Sequence, residues 1–236
     1  MKTFRSRGGE FSERPYYKDE EIESICLGEL QSLDLLPGSP APIRIDRFIE
    51  KRFNVSPEYE DLAEGILGLT VFGKKGIEAV IVARVLDAEG TRVSERRIRS
   101  TLAHEAGHGL LHAHLFVLQQ RTRPMFGDFT DSSKPKILCR DVAISDGKPK
   151  SGYDGRWWEF QANCVMGSLL LPRPLVEQAL KPYLVVRGSL GGKVLDCLRR
   201  TQAARCLSDV FDTNPIVAKF RLDRLFPANE EKQLRL

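Results

Sequence analysis

All four histidines of this 236-residue chain lie between His104 and His114. Three of them, His104, His108 and His112, follow one another at intervals of four. Positions i and i+4 share one face of a helix, one turn apart. The run His104-Glu105-Ala106-Gly107-His108 therefore asks for a helix whose two imidazoles reach one metal ion, an H-E-x-x-H pattern. Shuffling 4 histidines and 32 acidic residues over 236 positions yields roughly 0.007 such matches, so chance is a poor explanation. Glu105 points beside the metal rather than at it, where a carboxylate can take a proton from an activated water. The blander reading is a solvated helix without metal. Against it stand Ile98, Leu102, Ala103, Leu110, Leu111 and Leu115, which predict burial around the site. Gly107 and Gly109 each cost about 1 kcal/mol relative to Ala inside a helix. Their presence predicts that something approaches the backbone there.

Catalytic zinc sites keep three protein ligands and one open position. No histidine lies outside the cluster, so the third ligand is expected to be a carboxylate or a thiolate. The best candidate is Glu159, in Trp157-Trp158-Glu159-Phe160-Gln161-Ala162-Asn163. Asn163 lies one helical turn beyond it, and its amide suits a partner for the second nitrogen of a ligand imidazole. The opposite face, Phe160, Val165, Met166, Leu169 and Leu170, is expected to be apolar and packed. His112 lies about 12 Å along the helix axis from His104, too far to share its metal. It reads as a pocket-wall or structural histidine, with a transition-state hydrogen-bond donor as the alternative. His114 is rotated away and reads as a surface residue. Cys139, in the stretch between the two ligand helices, reads as a small buried hydrophobe, with a fourth, silencing zinc ligand as the rarer alternative.

The rest of the chain bounds this reading. With 36 basic and 32 acidic residues, the net charge of +4 offers no strong footprint for nucleic acid. A chain with 42% apolar and 29% charged residues is neither collagen-like nor disordered for most of its length. Five scattered cysteines without a C-x-x-C pair suit free thiols. The N-terminal stretch has no apolar core of a secretory signal, and no run approaches a membrane span, so a cytoplasmic location is expected. Residues 1–18 read as a loose arm. Residues 19–33 and 46–53 read as helices, and 65–72 with 77–86 as a β-hairpin whose loop, 73–76, exceeds two residues. A long helix is expected over 95–120 and a second over 156–171. Between them lies an insert, 115–157, with one short strand at Lys136–Cys139. Two or three further helices are expected in 174–226, and a frayed tail over 227–236. The fold class is α+β: a small sheet packed on the H-E-x-x-H helix and a second ligand helix, over 19–173, followed by a helical segment.

These elements, in this order, resemble the ImmA/IrrE family of metallopeptidases, which have a zincin-like catalytic domain. The resemblance covers roughly residues 20–226. It rests mainly on Arg96–His112 (RRIRSTLAHEAGHGLLH) and Trp158–Pro172 (WEFQANCVMGSLLLP), which match an H-E-x-G-H-x-x-L-H helix and an E-x-x-A-N segment leading into L-L-x-P. Leu69–Gly73 and Ile77–Ala83 match the preceding strands, and Leu207–Leu225 a closing helix-turn-helix-like pair. The resemblance implies Zn2+ held by His104, His108 and Glu159, Glu105 as general base, and Asn163 as partner of a ligand histidine. It implies cleavage of a helix-turn-helix repressor that governs mobile-element or stress genes. The insert 115–157 departs from the compact family pattern. Residues 196–226 carry six basic and four acidic side chains, which favours packing or partner docking over direct DNA binding. The rival expectation is a regulatory protein that sequesters a repressor without cleaving it, with structural zinc.

Overall fold

The computed structural model describes residues 2–5, 13–115, 136–140, 157–186 and 193–227. They form a mixed α+β architecture in which one long helix lies against a four-stranded sheet and a second long helix packs on the first. The sheet consists of β3 (Glu58–Glu60), β4 (Ile66–Gly73), β5 (Gly76–Ala83) and β6 (Lys136–Arg140), in the spatial order β3-β5-β4-β6. β4 pairs antiparallel with both β5 and β6, while β3 runs parallel to β5. Alternation along β4 sends Gly68, Thr70 and Phe72 toward the helices, and Leu69 and Val71 join Ile81 on the other face. Val80 and Val82 of β5 enter the main core.

Across the inner face runs α4 (Arg92–Leu111), the helix that carries the histidines. The threonine that precedes it stops the helix: Thr91 Oγ1 accepts from the Ser94 amide at 3.1 Å, and Ser94 Oγ accepts from the Thr91 amide at 3.0 Å. α4 thus starts three residues before the expected 95. It closes at His112, whose amide still bonds the His108 carbonyl at 2.9 Å. Residues 116–120 of the expected helix lie outside the described residues. α5 (Trp157–Leu170) crosses α4 at close range, because Gly107 leaves room for the backbone of Ala162. A Cβ on Gly107 would stand 3.0 Å from Ala162 Cα and 3.0 Å from its carbonyl oxygen. One on Gly109 would collide with Ile77 and Phe53. Those are the approaches that two glycines in a helix predict. Beneath the pair, α1 (Asp19–Ser32) and α2 (Ile45–Phe53) complete a core of Cys26, Leu30, Phe48, Ile49, Leu102, Val165 and Leu169.

The C-terminal part adds α6 (Arg173–Ala179), α7 (Arg200–Val210) and α8 (Pro215–Leu225), with a short ribbon of β7 (Leu184–Val186) and β8 (Lys193–Leu195). Leu207, Phe211, Val217 and Leu222 are fully or almost fully buried, so α7 and α8 pack as a pair onto the body. Their tightest tie is ionic. Arg221 of α8, 2% exposed, bonds both carboxylate oxygens of Glu23 in α1, along with Ser168 Oγ and the Leu171 carbonyl.

Several expectations differ from the structure. The hairpin loop is two residues, Lys74 and Lys75, since Gly73 pairs with Gly76. Residues 84–86 leave the sheet and open a short helix, α3 (Arg84–Ala88). Phe160, expected to be packed, is 50% exposed and lies under the Arg224 guanidinium, 5.0 Å from ring centroid to Cζ. The N-terminal arm, expected to be loose, contains β1 (Lys2–Arg5) and β2 (Glu13–Tyr16), paired as an antiparallel ribbon. The expected strand in the insert is present as β6; the remainder of 116–156 and the tail beyond Pro227 lie outside the described residues.

Candidate metal centre

α4 and α5 bring His104, His108 and Glu159 together, with one ligand atom from each within 4.8 Å of the others. His104 Nε2 lies 3.0 Å from Glu159 Oε2 and 3.0 Å from His108 Nε2, and the third side of the triangle, His108 Nε2 to Glu159 Oε2, is 3.7 Å. A tetrahedral ion at about 2.0–2.1 Å from each ligand needs ligand atoms roughly 3.3–3.4 Å apart, and the triangle brackets that value. The imidazoles are fully buried, and the Glu159 side chain is 14% exposed, so the centre faces solvent on the carboxylate side.

The hydrogen bonds behind the triangle decide its chemistry. Asn163 Oδ1 lies 3.0 Å from His104 Nδ1 and can only accept, so the proton of neutral His104 sits on Nδ1 and its Nε2 is a bare lone pair. His108 Nδ1 lies 3.0 Å from His112 Nδ1, which engages the far side of the second ligand ring. The bare lone pair of His104, the Nε2 of His108 and a carboxylate thus converge on one point. Such a set repels itself unless a cation occupies it. A proton is the smallest such cation. Burial lowers the His104 pKa, but the hydrogen bond and charge of Glu159 outweigh that and raise it. Burial lowers His108, and the Glu159 bond and charge recover only part of the shift. Glu159 itself would be raised by burial, yet the two imidazoles hold it well below the ordinary carboxylate range. The donor set of two imidazoles and one carboxylate fits a divalent ion such as zinc.

Glu105 stands beside this set and outside it. Gly68 of β4 allows the approach: a Cβ there would meet Thr101 Cγ2 at 2.4 Å and Glu105 Oε1 at 3.4 Å. Thr70, next on the same face of β4, donates its hydroxyl to Glu105 Oε2. The other oxygen, Oε1, is buried and makes no hydrogen bond among the described residues. Burial pushes the Glu105 pKa up to about 7, with the Glu159 charge adding to it, while His104 and the Thr70 bond pull it down. A carboxyl at that value exchanges a proton readily at neutral pH.

The other candidates are placed as follows. His112 is fully buried, and both its ring nitrogens are engaged, Nδ1 by His108 and Nε2 by Gln161 Oε1 at 3.0 Å. Neither nitrogen is free to donate to a transition state, so that alternative gives way to a supporting one. Trp157 meets the His112 ring edge-on at 5.5 Å and is itself buried in a cluster with Phe72 and Leu115. His114 is exposed. Cys139 falls in β6 at the register position opposite Gly68; its side chain lies outside the described residues. Thr70 and Gln161 escape a reading of the sequence. A β-strand threonine and a helical glutamine carry no local pattern, although Gln161, between Glu159 and Asn163, lies in the right segment.

No family model matches the chain, and no curated protein matches it.

Proposed function

We propose that the protein is a zinc-dependent endopeptidase with a zincin-like catalytic domain, acting on a protein substrate of the helix-turn-helix repressor class. The observation that carries this reading is the convergence of His104, His108 and Glu159 on one point, with the unbonded Oε1 of Glu105 buried beside it. A purely structural metal site has no use for that carboxylate, whose burial is costly. The order of motifs and their resemblance to the ImmA/IrrE pattern supply the substrate class.

His104, His108 and Glu159 would hold the ion, which supplies Lewis acidity and lowers the pKa of a water to about 7. The protein's own share is proton handling and orientation. Glu105 takes the proton from the attacking water and returns it to the leaving amine. Thr70 holds one oxygen of that carboxylate, so the other is the one presented for proton transfer. Asn163 and His112 hold the two imidazoles from behind. Trp157, packed edge-on against His112, covers the ring that backs the site.

The test combines metal analysis with incubation of the protein with a helix-turn-helix repressor, chosen by identifying the reading frames beside this gene, with and without chelator. Wild type is expected to bind one zinc and to release metal-dependent fragments. Glu105→Gln is expected to keep its zinc and lose about 10²–10⁴-fold in rate. Cleavage by the zinc-loaded Glu105→Gln protein at the wild-type rate would falsify the mechanism. An intact complex with the repressor, with no fragments from wild type, would replace the peptidase by a sequestering protein.

A further inference from the structure

Behind His108 a file of hydrogen bonds runs to the far end of the chain. The Pro15 carbonyl, in the N-terminal ribbon, accepts from Gln161 Nε2 at 2.9 Å across 146 residues of sequence. A carbonyl can only accept, so the Gln161 amide nitrogen must face it and Oε1 must face the other way. Oε1 lies 3.0 Å from His112 Nε2, and since it too only accepts, that nitrogen carries the proton. A neutral imidazole carries a single ring proton, and with that proton on Nε2 the Nδ1 of the buried His112 is bare. Between His112 Nδ1 and His108 Nδ1, 3.0 Å apart, the proton therefore belongs to His108. His108 Nε2 is left bare, on the side that faces His104 and Glu159.

We propose that Gln161, oriented by the Pro15 carbonyl, is a positioning residue for the candidate metal centre, acting through His112 to hold His108 in the tautomer that presents a bare Nε2. The inference rests on the metal reading above and extends it. The polarity of the whole file is set at one end by a group with no alternative, a peptide carbonyl. The N-terminal ribbon thereby becomes part of the support of a centre built on α4 and α5. Pro15 is buried, as such an anchor requires.

The test uses the full chain labelled with 15N-histidine, whose four histidines give a spectrum simple enough to assign. Long-range 15N–1H spectra of the metal-free protein report the His108 tautomer, and competition against a chelator reports Zn2+ affinity. Wild type is expected to show His108 protonated at Nδ1. Gln161→Leu is expected to lose that preference and about 10–100-fold in Zn2+ affinity, with an unchanged far-UV spectrum. The inference is overturned if Gln161→Leu binds Zn2+ as tightly as wild type and keeps the wild-type His108 tautomer. It is equally overturned by a wild-type spectrum with His108 protonated at Nε2, which needs no variant to fold. Failure of wild type to bind Zn2+ sinks the metal reading instead, and the tautomer spectra then still judge the file by themselves.

Discussion

Two carboxylates on neighbouring helices are held in opposite states by their surroundings. Glu159 lies against two imidazoles and stays ionised; Glu105 is buried against Thr70 and the sheet, and its pKa is about 7. Separated carboxyl pKa values are how one site combines a fixed negative charge with a mobile proton. Thr70→Val keeps the shape and removes the hydroxyl that pulls the Glu105 pKa down. The acidic limb of the cleavage-rate profile is then expected to move to higher pH, with zinc content unchanged; a limb that stays in place would remove Glu105 from the proton transfer. Asn163→Ala takes away the acceptor behind His104 Nδ1 and is expected to cost about 10–100-fold in zinc affinity, read by chelator competition. At this scale the cluster of His104, His108 and Glu159 was legible because metal chemistry restricts residue types. His104 and His108 declare themselves by spacing; with no other histidine left, Glu159 stands out by its Trp and Phe neighbours and by Asn163 one turn on. Thr70 was not legible, because its role arises only where a strand passes under a helix 35 residues away in sequence.

Among elements, the crossing of α4 and α5 sets the ligand triangle, since His104 and His108 come from one helix and Glu159 from the other. Gly107 sits between the two histidines at the point of closest approach. Gly107→Ala gains about 1 kcal/mol of helix propensity. It also drives a methyl against backbone atoms of Ala162, which cannot swing aside as a side chain can, and such overpacking costs about 1–3 kcal/mol. The expected net result is a lower melting temperature of the metal-free protein and weaker zinc binding, because separating the helices stretches the triangle. A melting point at or above that of wild type would show that the crossing tolerates the methyl. The positions of both helices were legible from the i, i+4 spacing of His104 with His108 and of Glu159 with Asn163, and the glycines announced a close approach. Less legible were the ends of elements. A β-branched run over 77–86 reads as one strand, yet the chain turns into α3 at Arg84. The ribbon of residues 2–5 and 13–16 was missed because a polar stretch without alternation carries no strand signal, and the Pro15 carbonyl that accepts from Gln161 has no signature in sequence.

Across the molecule, Arg221 and Glu23 join α8 to α1 over 198 residues of sequence, with Ser168 of α5 between them. The pattern of the C-terminal helices predicted packing, and the buried apolar residues of α7 and α8 agree, but an arginine in that core could not be foreseen. Its charge is tolerable only because the Glu23 carboxylate, 19% exposed, and two other acceptors meet it. Burial raises the Glu23 pKa, and the Arg221 bonds and charge, with help from Ser168, more than reverse this and hold it below the ordinary value. A group depressed in the folded state stabilises above its unfolded pKa, and that stabilisation is lost as pH falls through the folded value. Glu23→Gln is therefore expected to be less stable than wild type at pH 7 by about 3–5 kcal/mol, since it leaves a buried guanidinium uncompensated. The gap should narrow below about pH 4, where the unfolded chain takes up a proton that the Arg221-paired carboxyl of the folded state resists. Denaturant titrations of both proteins at pH 7 and pH 3 check this, and a gap that is equal at the two values would mean that the pair contributes shape rather than charge. Replacing both partners, Glu23→Leu with Arg221→Met, separates the two again: if the ionic tie serves mainly to fix where α8 docks, the double variant recovers most of the lost stability.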